Sequence, residues 1–309
     1  MSQSEYPSES IVRRSDFPAE RASQWQLRSR RLDLPICPLI MGIVNVTPDS
    51  FSDGGKFQDT CAATDYALQL AEAGADILDV GGESTRPYSD PVPLDEELRR
   101  VIPVVASLCR QTSVPVSVDT SKAVVAKAAL DVGVEIINDV TGLESDAEML
   151  EVARSGGAGW CVMHMQGSPQ TMQDNPTYEN VVEEVLGYLQ IRQRTLLDAG
   201  IEPARICLDP GIGFGKTHQH NITLVANANR FHTLGAPVLV GHSRKGFLAK
   251  LIGDKQADRT TATIGVALTL AGKGVQILRV HDVRPVREAL RACFFTGGID
   301  GTARQLEDT

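Results

Sequence analysis

Side chains able to grip a charged, hydrogen-bonding ligand recur at the ends of short apolar runs along this chain. In order they are Asn45, then Glu83, Ser84, Thr85 and Arg86, then Asp119, Asn138, His164 and Asp209, then Ser243 with Arg244 and Lys245, and last Arg279 with His281. Asp119, Asn138 and Asp209 offer carboxylate and amide groups that suit a flat heterocycle with adjacent N–H donors. Lys245, Arg279 and His281 offer cations for a phosphate or a ring oxygen. A ligand with both parts would engage the whole set. Asn45, with Asp49 and Asp53 in the polar stretch that follows it, supplies the oxygen ligands Mg²⁺ takes, one or two from protein with phosphate and water completing the shell. Any one of these residues has a plainer reading as a helix cap or turn residue. Their convergence on one rim does not.

The runs that position them are "LIMGIVNV", "DILDVGGE", "VPVSVDT", "EIINDV", "GWCVMHM", "ICLDPG", "VLVGHS" and "QILRVHDV". Between them lie amphipathic stretches at 60–73, 95–111, 121–132, 178–199 and 283–293, with apolar residues three and four apart. Eight strands, each followed by a helix, form the pattern of a (β/α)8 TIM barrel, an α/β fold of roughly 250 residues. A doubly wound sheet fits less well, because no G-x-G-x-x-G follows the first strand. In a barrel the loops at the strands' C-terminal ends make the active face, which accounts for a buried run opening into polar "NVTPDSFSDGG". Residues 36–298 are expected to be one domain, with 1–35 a flexible or loosely attached extension and 299–309 a C-terminal tail.

The 309 residues carry a formal charge of -9, which disfavours nucleic acid and anionic membranes, and the only basic cluster is "RSRR" at 28–31. Six scattered cysteines without a C-x-x-C pair read as reduced thiols, which favours a cytoplasmic location. The first 35 residues have neither a signal-peptide core nor a membrane span.

The segments "NVTPDSFSDGG", "DVGGESTRP", "SVDTSK", "INDVTG", "LDPGIGFGKTHQHN", "GHSRKGF" and "RVHDV" resemble, in order and spacing, those of the dihydropteroate synthase family over about 39–293. The resemblance implies joining of 6-hydroxymethyl-7,8-dihydropterin pyrophosphate to p-aminobenzoate, with Mg²⁺ and in a homodimer. It implies that Asp119, Asn138, Asp209 and Lys245 hold the pterin, bordered by Met163, with Arg279 against its face. Thr85, Asn45, Arg279 and His281 would receive pyrophosphate, with the metal on Asn45 and Asp53. Phe51, Arg86, Pro87, Phe214 and Ser243 would border p-aminobenzoate, and the loops 47–58 and 83–91 would close over the reacting carbon. The implied catalytic set is Asp119, Lys245, Arg279 and His281. "GHSRKGF" departs from the family at His242 and Gly246, and "DRTTATIG" has Thr where Gly is common.

Other readings are weaker on these residues. His218 and His220 have H-x-H spacing but lead into a helix, so structural roles are expected. Lys245 as a Schiff-base lysine would leave Asp119 and Asn138 without a task. The pterin domain of methyltetrahydrofolate methyltransferases shares the Asp and Asn contacts but has no use for "NVTPDSFSDGG" and "SRK". A non-catalytic pterin binder should lack a loop or anion-site residue, and none is missing. The apolar run "TIGVALTLAG" at 263–272 is a candidate for the dimer contact and equally for packing on the barrel.

Overall fold

The computed structural model describes residues 21–46 and 56–305, the side chains of 56–59 excepted. A short antiparallel hairpin, β1 (Gln24–Gln26) and β2 (Arg31–Asp33), precedes eight parallel strands. These are β3 (Leu39–Asn45), β4 (Ile77–Gly81), β5 (Val116–Asp119), β6 (Ile136–Asp139), β7 (Gly159–Met163), β8 (Ile206–Asp209), β9 (Leu239–Val240) and β10 (Ile277–Val280). Helices α1 (Lys56–Glu72), α2 (Leu94–Gln111), α3 (Ala123–Asp131), α4 (Met149–Gly156), α5 (Val181–Asp198) and α6 (His218–Ala226) each follow one of the strands β3 to β8. After β9 come α7 (Gly246–Ile252) and α8 (Thr260–Gly272), and α9 (Val283–Phe295) follows β10.

The strands pair in the order β8-β7-β6-β5-β4-β3-β10-β9, and a parallel bridge between Leu208 and Val238 joins the two ends. This is the expected (β/α)8 barrel, and each of the eight apolar runs forms one of its strands. The two-residue side-chain period sorts every strand into an outward and an inward set. Outward residues such as Ile40, Leu78, Val118, Ile137, Val162 and Leu208 pack under the helices in the main core. Inward residues form two storeys. The lower is apolar: Met41, Ile77, Ile136, Cys161, Cys207, Leu239 and Ile277. Two positions further along, the same strands present Asp79, Asn138, Met163, Asp209 and Arg279. The barrel thus has an apolar floor and a charged mouth, set by strand parity.

Residues 21–35 differ from the expected loose extension. Trp25 and Leu27 are fully buried against the barrel floor, with Leu34 beside them. The Trp25 indole N–H donates to Arg205 O at 2.9 Å, and Arg205 Nη1 donates to Leu27 O at 2.9 Å. Gly159 makes room: a Cβ there would lie 2.8 Å from Leu27 and 3.2 Å from the Trp25 ring. The hairpin escapes sequence-level detection because its strands are three residues each and apolar residues are few among "SQWQLRSRRLDL". Beyond α9 the chain folds back, with a Thr296–Ala303 bridge and an Arg304–Asp300 ion pair at 2.6 Å. Residues 1–20 and 306–309 lie outside the described residues.

The hairpin makes one prediction. Trp25→Ala removes a large side chain from an enclosed site and should lower the free energy of unfolding by about 3–5 kcal/mol. Urea denaturation checks this, and a change under 1 kcal/mol would mean that the hairpin is dispensable to the barrel.

Candidate active site

The charged storey is organised around Arg279 on β10. Its Nε donates to Asp79 Oδ2 at 2.6 Å and its Nη2 to Asp119 Oδ2 at 2.8 Å. Asn138 Nδ2 also donates to Asp79 Oδ2, at 3.2 Å, so β4, β5, β6 and β10 meet in one buried network. Asp79 Oδ1 is buried with no hydrogen-bond partner among the described residues. Burial raises Asp119 to about 7, with the charges of Asp79, Asp139 and Glu97 adding to the effect and Arg279 opposing it. Burial likewise raises Asp209 to about 6, against the Gly211 N–H and the charges of Lys245, Lys216 and Arg279. The surrounding carboxylates hold Arg279 more firmly protonated than usual, in spite of its burial. A ligand presenting N–H donors here would stabilise the ionised carboxylates.

Asp79 was not among the expected site residues. Its signal was present, the second carboxylate of "DILDVGG" on the inward parity of a strand, but the apolar residues on either side mask it.

Asp209 opens a glycine turn that seats the second wall. Gly211, at φ +69°, donates its N–H to Asp209 Oδ1 at 2.7 Å, and a Cβ there would lie 1.9 Å from His164 O. Phe214, carried by the turn, packs with Val140, Met163 and Met172 in a small apolar cluster. Lys245 Nζ lies 4.0 Å from the centre of the Phe214 ring. Burial and the charge of Arg279 lower Lys245 to about 8, with Asp209 and Asp119 opposing. An apolar patch flanked by two aspartates, an asparagine, a lysine and an arginine suits a flat, polar ring.

A second residue outside the expected set is Lys216, 2% exposed. Its ammonium lies 2.8 Å from His164 Nδ1 and donates to Phe214 O at 2.9 Å and His164 O at 3.3 Å. Three polar partners thus gather on one amino nitrogen, which pins the end of β7 to the turn after β8. Burial and then the Lys216 charge lower His164 to about 3, so its ring is neutral and accepts at Nδ1. His164 therefore anchors the turn behind the pocket.

The anion-binding side gathers around His281. Its Nδ1 lies 3.1 Å from Ser243 Oγ, which also accepts the His281 backbone N–H at 3.3 Å. Burial, and then the charges of Arg279, Arg244, Lys245 and Arg86, lower His281 to about 3. Burial first, and the four cations after it, favour the neutral ring, where the sequence reading counts His281 among the cations. Those four cations are themselves an anion-attracting cluster. Arg244, at φ +57°, is held by Asp282 at 3.0 Å.

Thr85 and Asp119 line a cleft of about 370 Å³, together with Glu83, Thr120 and Met165. Asn138, Asp209 and Lys245 do not line it. Lys122 pairs with Glu83 and the fully buried Glu97, and Thr120 Oγ1 donates to Glu97 at 2.6 Å, tying the base of the Thr85 loop to α2. Arg86 and Pro87 are exposed on that loop. Asn45, at the end of β3, is half-buried beside Gly81 of β4 and presents an amide of the hard-oxygen type that suits Mg²⁺. Phe51 and Asp53 lie outside the described residues, as do Asp49 and Ser52. Among the described residues no group of three or more His, Cys, Asp or Glu could hold a metal by itself. His220 closes a capping box with Thr217 at the start of α6, a structural task.

The fold and this site define a barrel that holds a flat polar ring beside an anion. The chain belongs to the family of pterin binding enzymes, whose profile matches residues 41–281. It is 46% identical over 260 residues to the dihydropteroate synthase of Haemophilus influenzae, covering 84% of this chain and 94% of that one. A dihydropteroate synthase of Xanthomonas albilineans with 4-aminobenzoic acid superposes with a TM-score of 0.81 at 43% identity, covering 88% and 97% of the two chains. The same enzyme in complex with 7,8-dihydropteroate gives 0.78 at 41% identity, covering 87% and 97%. Within the family, the chain's place is among the dihydropteroate synthases.

The lowering of Lys216 to about 7 by burial carries a pH prediction. Between that value and its ordinary one near 10.5, the unfolded chain holds a proton that the folded chain has shed, so stability rises with pH there. The slope from this group is at most about 1.4 kcal/mol per pH unit. In urea unfolding between pH 7 and 8.5, Lys216→Met should therefore gain less with pH than the unsubstituted protein. Equal slopes would mean that Lys216 keeps an ordinary affinity for its proton.

Proposed function

We propose that this chain is a transferase that joins 6-hydroxymethyl-7,8-dihydropterin pyrophosphate to p-aminobenzoate, giving 7,8-dihydropteroate and pyrophosphate. The observation that carries this reading is the adjacency of two unlike half-sites. A carboxylate–amide network over an apolar wall fits the pterin, and a ring of cations around a neutral His281 fits the departing anion. Asp119, Asn138, Asp209 and Lys245 would hold the ring, with Met163 and Phe214 against its apolar surface and Arg279 at its face. Thr85, Asn45, Arg279 and His281 would take the pyrophosphate oxygens.

The chemistry needs no nucleophile from the protein. The amine nitrogen of p-aminobenzoate forms a bond to the pterin methylene carbon while the bond from that carbon to the pyrophosphate oxygen breaks, and the ammonium product loses a proton. The chain's residues orient the two reactants, offset the negative charge developing on the leaving group and, through Asp119, offset positive charge on the pterin. His281 would become more basic as the anion binds, turning from a neutral acceptor into a donor. Asn45 and Asp53 would hold Mg²⁺, which when bound supplies further neutralisation of pyrophosphate. Arg86, Pro87, Ser243 and Phe51 would border p-aminobenzoate. A structural relative from Yersinia pestis is described in complex with a sulfonamide drug, and the same arylamine mimicry is expected here.

A homodimer is the proposed assembly. On α8, Thr263, Ala267, Leu270 and Ala271 are buried and Ile264, Val266 and Leu268 pack partly buried against the core, so the barrel takes up most of the apolar run. Gly265 and Thr269 face outward, and Leu251 and Ile252 of α7 are exposed large apolar residues. No helix among the described residues is long and apolar enough to cross a membrane, and all six cysteines are free, which suits the proposed cytoplasmic location.

Two measurements test this. The protein should release pyrophosphate only when both substrates and Mg²⁺ are supplied, and absence of product under those conditions would end the synthase reading. Light scattering at micromolar concentration should give twice the chain mass, and a monomer mass would remove the dimer without touching the chemistry.

A further inference from the structure

The loop between β4 and α2 carries Thr85, Arg86 and Pro87, and the next residue is Tyr88. Its backbone sits at φ +64°, a left-handed conformation that bulky L-residues rarely adopt. The residue is 64% exposed, so burial does not hold it there. Hydrogen bonds do. The Tyr88 N–H donates to Pro169 O at 3.0 Å, and the hydroxyl donates to Asp174 Oδ1 at 3.1 Å. From the other side, Gln170 Nε2 donates to Ser89 O at 3.3 Å. The docked segment is knit internally, since the Ser89 hydroxyl lies 2.5 Å from Ser84 O and 2.8 Å from Arg86 O.

The platform it docks on is firm. In the loop after β7, the N–H groups of Thr171 and Met172 donate to Ser168 O at 2.9 and 2.7 Å, and that of Asp174 donates to Thr171 O at 2.9 Å. Met172 is buried with Val140, Met163 and Phe214 in the apolar wall of the ring pocket. Gln173 Nε2 donates to Gly213 O at 2.9 Å, in the glycine turn that carries Phe214. A chain of contacts therefore runs from the Thr85–Pro87 loop, through Tyr88 and the 168–174 platform, to the wall on which the pterin would lie.

We propose that Tyr88 is a positioning residue for the arylamine substrate: by latching onto Asp174 and Pro169 it sets the Thr85–Pro87 loop at the distance the second pocket requires. The proposal rests on the reading that this loop borders p-aminobenzoate. The latch costs the chain an unfavourable backbone conformation at Tyr88, and a purely decorative surface tyrosine would have no need of one. Because the platform also forms part of the pterin wall, loop placement and occupation of the first pocket share one support.

Steady-state kinetics on Tyr88→Phe, Asp174→Ala, the double variant and Asp174→Asn test this. Each of the first two should raise KM for p-aminobenzoate roughly threefold to tenfold, the worth of one hydrogen bond. KM for the pterin pyrophosphate, which meets this loop only through Thr85 near its anchored base, should rise clearly less than KM for p-aminobenzoate, and the melting temperature should stay near that of the unsubstituted protein. The double variant should be no worse than either single one, and Asp174→Asn, which keeps an oxygen acceptor, should behave almost as the unsubstituted protein does. Unchanged KM for p-aminobenzoate in both single variants, fully additive losses, or equal rises in both KM values would overturn the latch. An unsubstituted protein without synthase activity would instead defeat the proposed function, so the two failures are distinguishable.

Discussion

One largely enclosed guanidinium sets the terms for the rest of the barrel mouth. Arg279 can be carried there only because Asp79 and Asp119 reach it from two other strands, since an isolated buried charge is far more costly than a paired one. The pairing requires β10, β4 and β5 to keep the register in which their inward positions share one level. Three carboxylates near one arginine and one lysine leave Asp119 and Asp209 short of compensation, and burial raises both. A ligand that donates N–H groups to one side and places an anion on the other would relieve both imbalances. The site is in this sense an electrostatic arrangement completed by its substrate.

The same parity that gathers these charges keeps them away from the structure's support. Below them every strand but β5, which has the buried Ser117, turns an apolar side chain inward, and the Trp25 hairpin seals that floor. Stability is concentrated at the bottom, where water is excluded, and chemistry at the top, where loops can vary. The buried amino and imidazole groups behind the mouth follow a related logic. Lys216 and His164 are buried, and the contacts of one amino nitrogen with His164 Nδ1, His164 O and Phe214 O fix the turn that carries Phe214 and begins at Asp209.

Loop placement is the part least determined by strand geometry. Lys122, Glu83 and Glu97 fix the base of the Thr85 loop, whereas its tip depends on a few hydrogen bonds at Tyr88. This division between an anchored base and a lightly held tip matches what a site must do when it admits one reactant after another.

Eight apolar runs with polar ends were legible in the sequence, and with them the barrel and many of the side chains that the structure brings together at its mouth. The reason is local: strand parity, helix periodicity and side-chain type are written in neighbouring residues. Asp79 was legible in principle by the same parity, but a single acid in an apolar run looks the same whether it is a cap, a core residue or a ligand. What only the tertiary structure decided depends on residues far apart in the chain. Asp79 meets Arg279 across 200 positions, Trp25 meets Arg205 across 180, and Lys216 meets His164 across 52. The neutrality of His281 likewise comes from burial and four cations drawn from separate loops and strands. The sequence by itself determined which groups are present and which way each strand turns them. Their charge states and partners were decided by desolvation and by fields summed over non-local neighbours, which exist only once the barrel has closed.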